Sequence, residues 1–387
     1  MVFEDVIFEG ELGVYVHVPF CARRCDYCDF ATWTDRDHLM DAYVDACVVD
    51  LDRRRAAGMP EATTVFLGGG TPSLLPAPSL RRILDAIPRR AGAEVTVECN
   101  PESVDPEKLA AYRAGGVTRL SVGVQSFRPA VLAALGRDLD PARALEAVTW
   151  ARDAGFTEIN LDLIYGTPGE TIDDWRATLD ATIALGPSHV SAYALTVEAG
   201  TPLAQRIAHG APAPDDDDQA QKYELADDVL GAAGFEWYEI SNWAWPGSEC
   251  RHNLACWAQA PYVGIGCAAH GHNPPGRRWW NVRHPERYVE RMSAGVSPEA
   301  GSEALDATTR AEEALALALR TRRGALIGPA RQEMAAELAA LGLLELVADR
   351  AVLTRRGRLL AGDVTARLLV AGAHPGPHAD AVAAGTR

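Results

Sequence analysis

Short apolar runs and longer segments of helical periodicity alternate along the first half of the chain. The run Gly13 to Pro19 is β-branched, apolar and ended by proline, which predicts a buried strand that leads into a loop. Five further runs of this kind predict strands at Thr63 to Leu67, Glu94 to Cys99, Arg119 to Val124, Ile159 to Ile164 and His189 to Leu195. Amphipathic segments follow them, so the pattern predicts repeated strand-helix units.

The segments between these runs carry helix signals. Asp105 and Asp140 stand as N-caps before prolines, and Thr171 to Leu185 has apolar residues at helical spacing. Alternating units of this kind require parallel strands with right-handed crossovers, in either a barrel or an open doubly wound sheet. Six units lie within residues 14–200, whereas a full eightfold barrel needs roughly 250 residues. The predicted fold class is therefore α/β, an incomplete (βα)6 barrel, with the doubly wound sheet as the alternative.

The remainder of the chain has a different composition. We expect domains at residues 1–200 for the partial barrel, 201–304 for an accessory segment and 305–370 for a C-terminal module. This last module combines helices with a small hairpin, Leu343 to Val347 and Ala351 to Thr354, in a winged-helix-like order. The tail at 371–387 lacks periodicity, which predicts disorder.

Charge and composition then exclude several classes of protein. The 37 Lys and Arg residues against 53 Asp and Glu residues give a net charge of −16, which disfavours nucleic acid as a partner. The chain contains no apolar run long enough to cross a bilayer, and Met1 to Glu11 contains no basic residue, so we expect a cytoplasmic protein.

A cluster of three cysteines follows the first predicted strand. Cys21, Cys25 and Cys28 have the spacing CxxxCxxC. A [4Fe–4S] cluster normally takes four cysteines, so three leave one iron open to a small molecule, as S-adenosylmethionine radical chemistry requires. Two alternatives remain at this point: a zinc site with His17 as the fourth ligand, and three unrelated buried thiols.

Polar residues and glycines end the other predicted strands. Gly68-Gly69-Gly70-Thr71 follows the second strand, where the missing side chains would let a ligand approach the backbone. Glu98, Gln125 and Asp162 lie on otherwise apolar strands, and a buried polar group needs a partner. Arg137 is suited to bind a carboxylate in bidentate fashion. We expect these groups to converge on a polar ligand at the barrel mouth, with a structural ion pair or capping network as the alternative for each.

These motifs, together with Tyr15 to Cys21 and Asp162 to Gly166, resemble the HemN-like radical-SAM family over nearly the whole chain. The resemblance implies that Cys21, Cys25 and Cys28 bind a [4Fe–4S] cluster. It also implies a set of residues around S-adenosylmethionine: Tyr15, Tyr27, Gly69, Gly70, Thr71, Glu98, Gln125, Arg137 and Asp162.

Two branches of that family must be separated, the oxygen-independent coproporphyrinogen III oxidases and the heme chaperones. The oxidase pattern has a further cysteine where this chain has Phe30, and only fourteen residues precede Tyr15, so we expect the long N-terminal arm of the oxidases to be absent. The segment His252-Asn253-Leu254-Ala255-Cys256-Trp257 resembles the HNxxYW segment of the heme-chaperone branch. These features favour the chaperone branch.

The chain departs from the family pattern at two places. Cys256 stands where the HNxxYW segment has tyrosine, and Asp138-Leu139 follows Arg137 where the family often has a histidine. We expect His252 to bind heme, with Cys256 as an additional or alternative heme ligand. The other cysteines have no motif support and are expected to be buried structural thiols: Cys47, Cys99, Cys250 and Cys267.

The resemblance implies a protein that binds heme as cargo and transfers it to acceptor proteins, among them membrane-associated respiratory proteins, with an electron donor as a further partner. The alternatives are radical decarboxylation of coproporphyrinogen III and another HemN-like reaction, such as that of a methyltransferase or cyclopropanase. Whether the radical machinery makes the protein an enzyme is left open by the sequence.

Overall fold

The computed structural model describes residues 10–274 and 276–373. Contacts between residues divide the chain into two units. The first unit extends to Glu236 and includes Ser241–Cys256 and Ala260–Leu305. The second contains Trp237–Ile240, Trp257–Gln259 and the described residues from Asp306 to Ala373.

The centre of the first unit is a parallel sheet of six strands. Its strands are β1 (Gly13–Val18), β2 (Ala62–Gly69), β3 (Arg89–Cys99), β4 (Arg119–Gln125), β5 (Glu158–Tyr165) and β6 (His189–Ala194). They lie side by side in chain order, and each pairs in parallel with the next. A doubly wound sheet would reverse this order at a switch point. The strands therefore follow the barrel winding, and the α/β partial-barrel prediction is confirmed.

Helices connect these strands. They are α1 (Met40–Ala56), α2 (Ala77–Ala86), α3 (Pro106–Ala114), α4 (Pro129–Ala134), α5 (Pro141–Asp153) and α6 (Ile172–Leu185). The predicted caps are present: Asp105 accepts from the Lys108 N–H, and Asp140 accepts from the Ala142 N–H. Thr171 forms a capping box with Asp174. The short helix α4 was not predicted, because its six residues are too few to show a periodicity.

The next segment belongs to the first unit, except for Trp237–Ile240 and Trp257–Gln259. Its elements are α7 (Pro202–Ala208), α8 (Asp216–Ala232), β7 (Glu236–Glu239), β8 (Asn242–Ala244), α9 (Arg251–Trp257), β9 (Tyr262–Ile265), β10 (His270–Asn273), β11 (Arg277–Asn281), α10 (Pro285–Ser293) and β12 (Glu299–Ala304). Strand β9 pairs in parallel with β1, and β8 pairs antiparallel with β6. Residues expected as a separate accessory segment thus extend both edges of the barrel sheet.

The second unit combines helices with a small sheet. Its elements after Asp306 are α11 (Ala307–Leu319), β13 (Ala325–Leu326), α12 (Gln332–Ala340), β14 (Leu344–Val347), β15 (Arg350–Leu353), α13 (Arg355–Leu359) and α14 (Ala361–Ala373). The antiparallel order is β13-β15-β14, so the predicted hairpin is present. Leu319, Leu338, Val364 and Leu368 are fully buried in its core.

The last helix ends at Ala373, so it includes the first three residues of the predicted tail, 371–373. The rest of that predicted tail, 374–387, lies outside the described residues. Within the described part of the chain, no helix is both long and apolar enough to cross a membrane.

Side-chain alternation along β1 positions the functional residues. Val14, Val16 and Val18 are fully buried on one face of the strand. Tyr15 and His17 lie on the opposite face, because successive residues of a strand point in opposite directions. The loop that carries the cysteine cluster follows β1 directly.

Candidate functional site

A cavity of about 400 Å³ lies at the carboxyl ends of the parallel strands. All three cysteines of the CxxxCxxC loop line it. Eight of the nine residues expected around S-adenosylmethionine line it as well: Tyr27, Gly69, Gly70, Thr71, Glu98, Gln125, Arg137 and Asp162. Tyr15 does not, and it lines a second cavity described below. The predicted set therefore converges, with one exception.

Backbone hydrogen bonds hold the cysteine loop in place. The Cys21 N–H donates to the Trp33 carbonyl at 3.0 Å, and the Cys28 N–H donates to the Cys25 carbonyl at 3.2 Å. Burial raises the pKa of the Cys21 and Cys28 thiols. The loop therefore presents thiols whose deprotonation needs a compensating cation, such as iron.

The glycines that follow β2 are required by the packing of the protein itself. A Cβ at Gly69, where φ is +108°, would lie 2.3 Å from the His17 ring, and one at Gly70 would lie 2.7 Å from the carbonyls of Val18 and Phe20. The sequence prediction attributed the missing side chains to the approach of a ligand. The structure adds a second reason, which is that the end of β1 and Phe20 pack closely against these glycines. The approach of a ligand stays a prediction.

Asn100, which the sequence analysis did not single out, joins two predicted site residues. Its Nδ2 donates to Thr71 Oγ1 at 3.1 Å, and its Oδ1 accepts from Arg137 at 3.4 Å. The Thr71 hydroxyl donates in turn to Cys21 Sγ at 3.7 Å. A polar residue between a strand end and Pro101 is the only signal that the sequence offered, and such residues are common in loops.

Arg137 is a buried cation on the cavity wall. Its side chain is 8% exposed, it donates to the Gly123 carbonyl at 2.8 Å, and it lies 3.7 Å from Cys25 Sγ. Its Nε is buried and has no hydrogen-bond partner among the described residues. A buried unpaired donor is costly, so this guanidinium is suited to an anionic group such as a carboxylate.

Two carboxyl groups, Glu98 on β3 and Asp162 on β5, line the cavity from the strands on either side of β4. Burial, together with the charge of Asp162, raises the pKa of Glu98 to about 8, although the Gly69 N–H donates to Glu98 Oε2 at 2.9 Å. Burial also raises the pKa of Asp162, which accepts from Ser121 and from Asn160, each at 2.8 Å. The arrangement offers hydrogen-bond acceptors to the hydroxyls or the ammonium group of a ligand.

Gln125 ends β4 with a left-handed backbone, at φ +66°. A non-glycine residue in this region is strained, and such strain concentrates at functional sites. The register of β4 against β5 shifts between Gly123 and Gln125. The register shift therefore lies at the end of β4, where Gly123 and Gln125 line the cavity.

The geometry does not support the zinc alternative for the cysteine loop. His17 Nε2 is hydrogen-bonded to the Ala31 carbonyl at 2.9 Å, and Nδ1 lies 3.2 Å from the Tyr15 hydroxyl. Among residues 10–274 and 276–373, no three His, Cys, Asp or Glu side chains are grouped as ligands of one metal ion. In an iron-sulfur cubane each thiolate binds a different iron, so three thiols spread around one cavity fit a cluster better than a single ion.

A second cavity of about 400 Å³ adjoins the first. Its lining includes both predicted heme residues, His252 and Cys256, with Tyr15, Tyr262 and His270. The two cavities share Phe30, Gly69 and Glu98. His270 was not predicted as a site residue, because no local pattern ties it to His252.

The protein holds His252 in one orientation. Its Nδ1 is hydrogen-bonded to Thr64 Oγ1 at 2.9 Å, and its ring stacks on Phe66 with centroids 5.3 Å apart. Burial lowers the pKa of His252 to about 4, so the imidazole is neutral at pH 7. Burial raises the pKa of Cys256 to about 11. A neutral imidazole can ligate a metal without losing a proton, whereas the thiol must first deprotonate.

The cysteines without motif support are buried, as expected: Cys47, Cys99, Cys250 and Cys267. All eight cysteines of the chain lie within the described residues, and none forms a disulfide.

Comparison with known proteins adds a family context to this geometry. Residues 15–182 match the model of the Radical SAM superfamily. The chain is 48% identical over 369 residues to the heme chaperone HemW of Mycobacterium tuberculosis, covering 92% of this chain and 94% of that protein. It is 31% identical over 370 residues to the heme chaperone HemW of Bacillus subtilis, covering 91% and 97%.

A solved structure is similar as well. The coproporphyrinogen III oxidase HemN from Escherichia coli, described as a radical SAM enzyme, matches with a TM-score of 0.81 and 23% identity, over 92% of this chain and 90% of that one. At this identity the likeness shows a shared fold.

Proposed function

The chain belongs to the heme chaperone HemW family, within the Radical SAM superfamily, and from this premise we propose that it binds heme and transfers it to heme-accepting proteins. The observation that carries the proposal is the second cavity, where the oriented imidazole of His252 and the thiol of Cys256 lie next to the cysteine-lined cavity.

The first cavity is the proposed site of a [4Fe–4S] cluster and S-adenosylmethionine. Cys21, Cys25 and Cys28 would hold the cluster, which supplies one-electron chemistry when it is bound. Arg137, with its unpaired Nε, would bind the carboxylate of the methionine moiety. Glu98 would accept from the hydroxyls or the ammonium group of S-adenosylmethionine.

The second cavity is the proposed heme site. Thr64 fixes Nδ1 of His252, which leaves Nε2 as the ring nitrogen for iron. Tyr15 and Tyr262 add aromatic surface to the wall that would cover a planar macrocycle. Cys256 would supply a sulfur ligand at the same wall.

The proposed function requires partner proteins. Acceptor proteins, including membrane-associated respiratory proteins, would receive the heme, and an electron donor would serve the cluster, with no role for nucleic acid. A reducing compartment such as the cytoplasm suits eight cysteines without a disulfide.

The experiment that tests the proposal starts from anaerobically reconstituted protein. Separate titrations with heme and with coproporphyrinogen III, each followed by absorbance and by release of carbon dioxide, distinguish a carrier from an oxidase. We expect retained heme and no decarboxylation. Carbon dioxide released in proportion to coproporphyrinogen III, with a competent reductant present, would establish the oxidase activity instead.

Transfer is measured by mixing the heme-loaded protein with a purified b-type apocytochrome. Transfer within a complex gives a rate that rises with apocytochrome concentration, whereas passive release gives a rate that does not depend on it. A concentration-independent rate contradicts the chaperone role.

A further inference from the structure

Phe30 lines both cavities. The residue is 60% exposed, so packing against the rest of the protein covers less than half of it. The other two shared residues are less free to move. Gly69 has no side chain, and Glu98 Oε2 is held by the Gly69 N–H at 2.9 Å. Phe30 is therefore the shared residue whose side chain can respond to a ligand on either side.

The backbone beneath this ring is fixed. The Phe30 carbonyl accepts from the Thr32 N–H at 2.8 Å, and its N–H donates to the sulfur of Cys28. The next carbonyl, that of Ala31, is hydrogen-bonded to His17 Nε2 at 2.9 Å. These contacts confine a change at Phe30 to its side-chain torsions.

We propose that Phe30 couples the two cavities, so that S-adenosylmethionine in the first raises the affinity of the second for heme. The inference rests on the proposed function and adds a regulatory link between its two sites. A ligand in the first cavity restricts the torsions of the exposed ring. A macrocycle then packs against a ring that is already ordered and loses less entropy on binding.

The linings allow both ligands to bind at the same time. The three cysteines of the CxxxCxxC loop and Arg137 line the first cavity but not the second. His252 and Cys256 line the second cavity but not the first. Each ligand therefore has its own anchoring groups, and the two share only a wall. Because linkage is reciprocal, heme must raise the affinity for S-adenosylmethionine by the same factor.

The test uses full-length protein reconstituted with an oxidised cluster, kept anaerobic and without reductant so that S-adenosylmethionine is not cleaved. Ferric heme is titrated with and without saturating S-adenosylmethionine, and the reverse titration is then made with and without heme. We expect S-adenosylmethionine to lower the heme Kd by about fivefold or more. In Phe30→Ala we expect each ligand to bind more weakly, because a wall contact is lost, and the coupling factor, which is the ratio of the heme Kd without and with S-adenosylmethionine, to fall to one.

Control measurements test whether the coupling depends on the ring of Phe30. Phe30→Tyr retains the ring and should retain the coupling, whereas Leu145→Ala removes an exposed apolar side chain of α5 that lines neither cavity and should change nothing. Iron content and circular dichroism verify that each variant keeps its cluster and fold. Metal-free protoporphyrin should show the same coupling, because the contact with Phe30 needs no iron ligand.

Two results overturn the coupling: an unchanged factor in Phe30→Ala, or a wild-type heme Kd that S-adenosylmethionine leaves equal or raises. A wild-type protein that binds no heme contradicts the proposed function itself, so the two failures are distinguishable.

Discussion

Thr64 Oγ1 and His252 Nδ1 are joined by a buried hydrogen bond of 2.9 Å, which links β2 to α9 across 188 residues of sequence. A second hydrogen bond, from the His252 N–H to Glu94 Oε1 at 3.0 Å, fixes the start of the same helix. The imidazole is thus oriented by groups outside the cavity that it lines. Proteins commonly orient metal-binding histidines through the other ring nitrogen in this way.

His252→Ala is predicted to weaken heme binding and to change the Soret spectrum, because the neutral imidazole is the proposed iron ligand. Thr64→Val should weaken binding by a smaller factor, since it removes only the group that orients the ring; about tenfold is typical of such a partner. Heme titration followed by absorbance measures both.

His209→Ala is the matched control, because His209 is an exposed histidine at the end of α7 and lines neither cavity. If a folded His252→Ala protein binds heme with unchanged affinity and spectrum, the ligand role is wrong. A changed spectrum in Cys256→Ala alone would move the assignment to sulfur.

Replacing Cys21, Cys25 and Cys28 with alanine is predicted to abolish the iron-sulfur cluster, since each is one of only three proposed protein ligands. The fold should persist, because these thiols lie at a cavity wall and not in the core. Iron and sulfide analysis of anaerobically purified protein measures the loss. Cys47→Ala, which removes a buried thiol of α1, should keep the cluster, and four irons per chain in the triple variant would refute the assignment.

The sequence predicted the strand order and the first cavity well, because both depend on local signals. Apolar runs marked each strand, and the carboxyl ends of parallel strands meet at one edge of the sheet. The pairing of β9 with β1 could not be predicted in this way, since it joins residues about 250 positions apart through a short strand with no distinctive pattern. The second cavity, which lies beside this pairing, was therefore seen only as separate motifs.

Tyr15 illustrates the same limit at the level of one residue. Alternation along β1 places Tyr15 and His17 on the same face of the strand, but it does not determine which ligand that face meets. The ring of Tyr15 stacks with Phe66 and lines the second cavity. Family motifs assign Tyr15 to S-adenosylmethionine, and that role stays a prediction.

The affinity for S-adenosylmethionine is predicted to rise as the pH rises from 6 to about 8. Burial, with the charge of Asp162, raises the pKa of Glu98 to about 8, so the carboxyl group is protonated at pH 6. A cationic ligand favours the carboxylate, and binding therefore releases a proton below this pKa. A drop of one pKa unit on binding corresponds to about tenfold in affinity.

Calorimetry in buffers of different ionisation enthalpy measures the released proton directly. Glu98→Gln cannot titrate and should lose this part of the pH dependence. Titration of the ligand itself is common to both proteins, so the difference between them isolates Glu98. Identical pH profiles for the two proteins would contradict the prediction.

Lys222→Met is predicted to destabilise the protein by about 3–5 kcal/mol, the usual consequence of removing one partner of a buried ion pair. The Lys222 side chain is fully buried, and its Nζ donates to Asp218 Oδ2 at 2.6 Å and to the Glu170 carbonyl at 2.7 Å, with Glu170 Oε2 at 3.4 Å. Without the ammonium group, the fully buried Glu170 carboxylate has no countercharge. Urea denaturation measures the change in the free energy of unfolding.

The double variant Lys222→Met with Glu170→Gln separates the charge from the packing. It removes both buried charges, so it should recover part of the stability that Lys222→Met loses. Arg176→Met serves as the surface control, because it breaks an exposed pair with Asp180 on α6 and should cost less than about 1 kcal/mol. A double variant as unstable as Lys222→Met would show that the loss comes from the packing of the lysine side chain and not from an uncompensated carboxylate.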